Sequence, residues 1–562
     1  MRRLKTLKIN RKIVYLGIIN IVFILLLCMV GISDETKDDL GVQLLISNCD
    51  GIAAYYHEYM SAFYAIGVFY LQKLLPQLAW NYFIQIIFIL ISINVLCNEI
   101  MERILGKSGE VFAVLTSIFL FFQSVCIFNF TRTAAMLVCA GLCFIFHDKK
   151  RDKLFGLLLF ICGTIVRFSI IYIPVVFIGI ILLWKLKNEN QGIAKNILVI
   201  GRQYALPIIV VFLAAFLIET AGQFYISTQP EWKRMQERCA LSAKLMDYEL
   251  DDYEKHEEVY KKQGISPNDF NMIETRFSNS DTVYFSDEIY NQVYEESSEK
   301  WKIDFSAEQL ADWGREIKKY PMHNGFGWYV LAVLILAVIC YDKKSRCVPI
   351  MVSLSLGAYL LLFCILGRVV DRVTFGLYLS AETTLLICHG TDMSGIQKRI
   401  KGNTRILQGL LCLVYIVIAG VTLFMGNRCQ RKTDAAIADM YDYMEENQDF
   451  FYFYSQMSEY KAISNLLFMK NYWDTGNSMY ASDYDFAETT ASKYHKYNIH
   501  NVYQDAPNSE IIRFIDCSED KRSRIDMIIT YIREHYCKDA EAELLEEIGE
   551  YRVYKIISHQ SL

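Results

Sequence analysis

TRTAAMLVCAGLCFIFHDKKRDKLFGLLLFICGTIVRF, residues 131–168, decides the fold. Two apolar runs, 131–146 and 154–166, flank a basic knot of Lys149, Lys150, Arg151 and Lys153, and their far ends carry Arg132 and Arg167. Runs of this apolarity read as membrane spans paired in a hairpin. The clustered Lys and Arg mark the cytoplasmic turn. An arginine in hydrocarbon costs roughly 2.5–3.5 kcal/mol on insertion scales, so Arg132 and Arg167 must lie near an interface or line a polar cavity. The pattern recurs at Arg368 and Arg372, between the apolar runs 348–366 and 373–388. Four guanidiniums then gather at hairpin tips opposite the basic loops, as an anion-binding site would need.

Working outward, the composition agrees. Of 562 residues 53% are hydrophobic, and the mean hydropathy is +0.20. That is too apolar for an ordinary soluble chain of this size. A net charge of −5 carries no nucleic-acid signature. The 16 Cys fall mostly inside apolar runs without a CxxC pair, which points to small membrane-compatible side chains rather than a zinc site or disulfide framework.

Charge sets the expected topology. Arg2, Arg3, Lys5, Lys8, Arg11 and Lys12 put the N-terminus in the cytoplasm. The first apolar run, 13–33, lacks a small-residue cleavage site and reads as an uncleaved span. Residues 59–75, ending before Pro76, read as a helix along or dipping into the outer interface. The runs 80–96, 111–128, 131–146, 154–166, 168–184, 204–225, 328–341, 348–366, 373–388 and 406–425 then alternate cleanly. About eleven crossings follow, and the C-terminal part lies outside. The expected fold is a polytopic α-helical membrane domain, 1–425, with a first outer loop at 34–60 and an outer helical segment at 226–322. A small extracytoplasmic α/β domain, 426–562, completes it. There 435–446 has helical spacing, 450–454, 511–515 and 551–557 read as strands, and 524–535 as a helix. No nucleotide loop or nucleophile elbow occurs.

Several residues could do chemistry. Asp34, Glu35, Asp38 and Asp39 directly follow the first span. They could be a solvated acidic cap. They could equally supply a general base, since a carboxylate near lipid has its pKa raised by desolvation and lowered by nearby arginines. Guanidinium matches phosphate with paired hydrogen bonds, so lipid phosphate is the anion the arginines would suit; snorkelling to headgroups is the plainer use of each one alone. His57, beside Glu58, is a weaker candidate for contact with substrate. Glu382 lies inside a span and is expected to pair with an arginine on a neighbouring helix. The polar–aromatic stretch 471–477 could stack on a sugar or be a packed surface loop.

One span from a cytoplasmic start, acids directly after it, an interface helix, hairpins with outer arginines and an outer C-terminal domain together resemble the GT-C fold of integral membrane glycosyltransferases. More closely, the chain resembles GT-C-like membrane proteins of Gram-positive clostridial bacteria. The likeness is carried by Lys37-Asp38-Asp39-Leu40, His57-Glu58-Tyr59-Met60, Phe130-Thr131-Arg132-Thr133, Val166-Arg167-Phe168, Gly367-Arg368 and Asp371-Arg372-Val373, and by the segment from Pro230 to Asp269. The resemblance implies a polyprenyl-phosphate-linked sugar donor. It also implies a catalytic acid at Asp38 or Asp39, with Asp34 and Glu35 as rivals. Two departures stand out: the stretch after Ser47 is neither Gly- nor Tyr-rich, and no WWD-type motif of oligosaccharyltransferases occurs.

The leading expectation is a glycosyltransferase in the cell membrane, moving a sugar to a cell-envelope glycan on the outer face. Arg132, Arg167, Arg368 and Arg372 would bind the donor phosphate, among membrane lipids. No organic cofactor is expected, no metal ligand is identified, and a divalent metal is left open. The alternatives are a non-enzymatic envelope scaffold that binds glycan or protein, and a transporter.

Overall fold

In hydrocarbon a backbone must satisfy its own N–H and C=O groups, and a continuous apolar run does so as a helix. The computed structural model describes residues 11–55, 60–103, 107–188, 193–246, 250–297, 346–366, 369–388, 435–455, 465–517 and 523–559, with residue 463 and scattered residues between 306 and 334. The apolar part forms helices α1 (Arg11–Val30), α2 (Asp38–Ser47), α3 (Ala62–Leu74), α4 (Trp80–Arg103), α5 (Lys107–Ser124), α6 (Phe130–Ile145), α7 (Lys150–Val166), α8 (Val175–Asn188), α9 (Ile193–Ile200) and α10 (Leu206–Ser227), then helices Cys347–Ile365 and Asp371–Cys388. Among the described residues five helices are long and apolar enough to cross a membrane, and Gly109–Ser124 and Phe130–Ile145 are shorter apolar helices.

Helix α3 has 13 residues, about 20 Å at 1.5 Å per residue, too short to cross a core of roughly 30 Å. The run expected at 168–184 is divided into a 3₁₀ turn, Phe168–Tyr172, and α8. Pro174 causes the division, because it lacks an N–H and suits only a helix start. The run expected at 204–225 begins earlier, and Ala194–Ser227 is one helical stretch. Most of 328–341 and all of 406–425 lie outside the described residues.

Helices α6 and α7 form the expected hairpin, and glycine makes it tight. A Cβ on Gly141 would lie 2.7 Å from the Gly156 carbonyl oxygen, and one on Gly156 would lie 2.6 Å from that of Gly141. A Cβ on Gly163 would meet the Ala134 carbonyl at 2.8 Å. The two backbones therefore touch along their length, the close approach that small residues permit between membrane helices. This seam brings the start of α6 beside the end of α7.

The polar part is a second body. It comprises α11 (Pro230–Met246), α12 (Glu257–Lys262), α13 (Pro267–Glu274), α14 (Asp287–Ser297) and strands β1 (Phe451–Tyr454), β2 (Ser478–Tyr480), β3 (Ile512–Cys517), β4 (Glu541–Ile548) and β5 (Tyr551–Ile557). The sheet order is β2-β1-β3-β5-β4. β1 runs parallel to β2 and β3, and β5 runs antiparallel to β3 and β4. Helices Ala435–Glu446, Glu488–Tyr497 and Ile525–His535 pack with it.

The outer segment and the sheet share one hydrophobic core. Leu245, Phe270, Ile273 and Phe285 are buried in one cluster with Phe453, Phe514 and Tyr531. Phe285 stacks on Tyr531 at 5.3 Å. Polar links cross the same boundary: the Tyr531 hydroxyl donates to Asp281 at 2.8 Å, and the Ser280 hydroxyl donates to the Ala481 carbonyl at 2.6 Å. Neither segment closes this core alone.

Candidate functional site

The loop between α1 and α2 is pinned before any side chain acts. Asp34 forms an isolated parallel bridge with Phe128. The Glu35 amide donates to the Phe128 carbonyl at 2.8 Å, and the Phe128 amide donates to the Ser33 carbonyl at 2.7 Å. Asp39, in the first turn of α2, then reaches the start of α6, where its Oδ2 accepts the Phe130 amide at 3.0 Å. Asn129 caps α6 by accepting the Thr131 amide. A carboxylate at a helix N-terminus satisfies an otherwise orphaned donor and complements the dipole.

The four acids have different partners. Glu35 pairs with Arg132 at 2.7 Å. Asp38 is half-buried and accepts the Thr36 hydroxyl at 2.9 Å. Asp39 is fully buried, and its Oδ1 accepts Gln85 Nε2 at 2.7 Å and Asn81 Nδ2 at 3.4 Å. Burial raises its pKa to about 7, against the lowering effect of the hydrogen bonds from Gln85 and Phe130. Asp34 is 7% exposed. Its Oδ2 accepts the Tyr82 hydroxyl, and its Oδ1 is buried with no hydrogen-bond partner among the described residues. Desolvation by burial, then the neighbouring Asp39 charge, holds the Asp34 pKa well above the usual carboxylate range. Of the four, Asp34 is the one with a fully buried oxygen that meets no hydrogen-bond partner among the described residues.

The arginines also divide. The Arg132 side chain is 1% exposed, donates to the Gln123 carbonyl at 3.1 Å and stands 5.0 Å from the Phe375 ring centroid. Arg167 lies at the other side of the α6 start. Its Nη1 donates to the Thr131 hydroxyl at 2.7 Å, its Nε to the Ser169 hydroxyl at 3.0 Å, and its guanidinium lies 5.1 Å from the Phe130 ring centroid. Arg167 lines a cavity of about 240 Å³ with Thr131, Ser169, Tyr172, Tyr359 and Phe363. Arg372 stands in the first turn of Asp371–Cys388, next in sequence to Val373, which also lines that cavity. Arg368 and His57 lie outside the described residues.

The start of α6 is therefore the junction of the site. Phe128 and Phe130 hold the acidic loop, and Thr131 holds Arg167. Tyr82, Asn81 and Gln85, which position the two buried carboxylates, escape a reading of charges alone. Their readable signal was Asn81 and Gln85 at i, i+4 in an otherwise apolar helix, a spacing that places both on one face.

Two further expectations meet different surroundings. Glu382 has no ion pair among the described residues, and its buried Oε1 accepts nothing there, so the expected arginine partner is absent from them. In the stretch 471–477, the Trp473 ring stacks on Tyr441 at 5.2 Å and its Nε1 donates to Asp442 at 2.7 Å. The Thr475 amide donates to the Cys49 carbonyl at 2.7 Å, and Lys493 binds Asp50. This stretch is part of the seam by which the second body sits on the end of α2.

Among the described residues, Glu99, Glu102 and His147 form one group that could hold a metal ion, and Asp269, Glu534 and His535 form another. Their atoms are already engaged: Glu99 with Arg103 at 3.0 Å and His147 at 2.6 Å, and Asp269 with His535 at 2.8 Å. Neither group includes an acid of the first loop.

No protein-family model matches this sequence, and no curated protein matches it. Among solved structures, the archaeal oligosaccharyltransferase AglB from Archaeoglobus fulgidus, in complex with an inhibitory peptide and a dolichol-phosphate, is similar with a TM-score of 0.42 and 10% identity. The match covers 97% of this chain and 74% of that one. At that TM-score the likeness is too loose to transfer anything, and the functional reading rests on this chain's own residues.

Proposed function

We propose that this chain is a GT-C-type membrane glycosyltransferase that moves a sugar from a polyprenyl-phosphate donor to a cell-envelope glycan at the outer face. The observation that carries the reading is the junction on α6: a buried carboxylate, Asp34, whose Oδ1 has no partner among the described residues, and a largely apolar cavity bordered by Arg167 attach to the same five residues, Phe128 to Arg132. Asp34 would take the proton of the acceptor hydroxyl. That oxygen would form the new bond to the anomeric carbon as the bond from that carbon to the phosphate oxygen breaks. Arg167 would hold the departing lipid phosphate, whose charge grows during the step.

The cavity suits one end of such a donor. Its volume of about 240 Å³ is below the roughly 300–1,000 Å³ of pockets that enclose a whole ligand. The cavity surface is almost wholly apolar, with Arg167, Thr131 and Ser169 at its border, where a phosphate would have to meet the guanidinium. Ile170, Tyr359 and Phe363 offer an apolar wall along which a prenyl chain could continue into the bilayer.

The second reading is an envelope protein that binds without catalysis. It is favoured by how fully Glu35, Asp39 and Arg132 are satisfied within the protein. The test is transfer or hydrolysis of a radiolabelled polyprenyl-phosphate-linked hexose by protein in nanodiscs. The glycosyltransferase reading expects activity that Asp34→Asn abolishes and Asp38→Asn largely retains. Donor binding without turnover, unchanged in Asp34→Asn, would favour the scaffold.

A further inference from the structure

Resting on the reading of Asp34 as the base, we propose that Tyr82 is a positioning residue for that carboxylate: its phenol holds Oδ2 and leaves Oδ1 as the atom that takes the proton. Among the described residues no cation pairs with Asp34; a neutral phenol fills the place. The phenol is itself fixed. Tyr82 is fully buried on α4, and its ring lies 5.2 Å from that of Phe128, the residue bridged to Asp34. One ring thus braces the backbone of the acidic loop while its hydroxyl orients the side chain.

The choice of a neutral donor has a chemical consequence. An arginine here would favour the carboxylate so strongly that it would be a poor base. A hydrogen bond from a phenol stabilises the anion more gently. The charged groups that act on Asp34 are Asp39 and Asp38, both from α2, and each opposes its ionisation. Tyr82 is the neighbour that works in the other direction. It keeps a buried carboxylate able to lose its proton, and it does so without occupying Oδ1.

The experiment uses full-length protein in nanodiscs and two readouts. The first is the pH profile of transfer from a radiolabelled polyprenyl-phosphate-linked hexose. Tyr82→Phe keeps the ring and its packing on Phe128, so the donor KM should stay within about twofold. The rising limb of kcat should move upward by about one to two pH units, the worth of one hydrogen bond to a charged group. The second readout needs no activity: labelling of Asp34 by a hydrophobic carbodiimide, followed by mass spectrometry across pH. The reagent adds to the protonated carboxyl, so its midpoint should rise in Tyr82→Phe and fall when 3-fluorotyrosine, a stronger donor, replaces Tyr82. Equal labelling midpoints in all three proteins would overturn the proposal, as would a kcat loss of equal size at every pH. A wild-type protein without turnover but with the expected labelling shifts would overturn the glycosyltransferase reading and leave the role of Tyr82 standing.

Discussion

Arg132 donates its Nε to Glu35 at 2.7 Å from a side chain that is 1% exposed, so a positive charge at the start of α6 is neutralised within the loop it anchors. Removing one partner strands the other in a place poor in water, which typically costs about 3–5 kcal/mol. Arg132→Ala should therefore lower the thermal midpoint in detergent more than the double change Arg132→Ala with Glu35→Ala. Equal losses in the single and double variants would assign Arg132 to lipid rather than to Glu35.

Gly156 faces the Gly141 carbonyl where a Cβ would stand 2.6 Å from oxygen. Backbone cannot yield as a flexible side chain can, so Gly156→Ala should push α6 and α7 apart. Overpacking of this kind costs about 1–3 kcal/mol. The hairpin tip should also open, separating Thr131 from Arg167, so lipid-phosphate binding should weaken along with stability. A cysteine pair at positions 131 and 167 that crosslinks equally well with and without Gly156→Ala would refute this.

Arg167 borders the cavity with a planar guanidinium held by Ser169 and Thr131, and lysine in its place would bring only a single point charge. Arg167→Ala should raise the Kd for a polyprenyl phosphate by about 10–100-fold, the loss of one charge-assisted contact of roughly 1.5–3 kcal/mol. Arg167→Lys should recover only part of it. Titration with the lipid phosphate in nanodiscs measures both, and unchanged affinity in Arg167→Ala would remove the cavity from the donor path.

His147 joins three elements at the opposite end of the bundle. Its Nε2 lies 2.6 Å from Glu99 on α4, and its Nδ1 lies 3.1 Å from Asp152 on α7. With a carboxylate at each nitrogen, the ring favours the doubly protonated form. The Glu99 hydrogen bond raises its pKa above the ordinary value, against partial desolvation and the Arg103 charge. The folded pKa exceeds the unfolded one of roughly 6.5, so the stabilisation is complete below about 6.5 and is lost as pH rises through the folded value. Thermal midpoints should decline across that interval in the wild type and vary less in His147→Gln. Parallel curves would exclude the histidine.

Many of the helices and three of the five strands were legible because their signals are local; the three-residue β2 and the helix Glu488–Tyr497 were not read. The basic knot at Lys149, Lys150 and Arg151 marked the turn between α6 and α7. The apolar or aromatic runs of β1, β3 and β5, and the 3.6-residue spacing of Ala435–Glu446, are present in the order of residues. Strand β4 was not legible. Glu543, Leu544, Leu545, Glu546 and Glu547 lack alternation and are poor strand formers, yet β4 pairs with β5 through a two-residue turn at Gly549, whose φ is +58°. Pairing overrides propensity there.

The site was half legible. A group of acids after the first span could be seen, but not which of them is committed. Asp39 is the most deeply buried and is tied to Phe130, 91 residues away. Asp34 depends on Tyr82, 48 residues away. Contacts at such separations leave no trace in local pattern, and charge alone ranks the four acids as equals.

The core shared by the outer segment and the sheet constrains how the molecule is made. Leu241 and Leu245 leave the ribosome long before Ile556, which completes the cluster they belong to, and helices Cys347–Ile365 and Asp371–Cys388 must be inserted in between. Until translation ends, the earlier half waits with apolar side chains uncovered, a target for chaperones and proteases on whichever side it emerges. A truncation that removes only the last strand should therefore condemn a segment three hundred residues upstream.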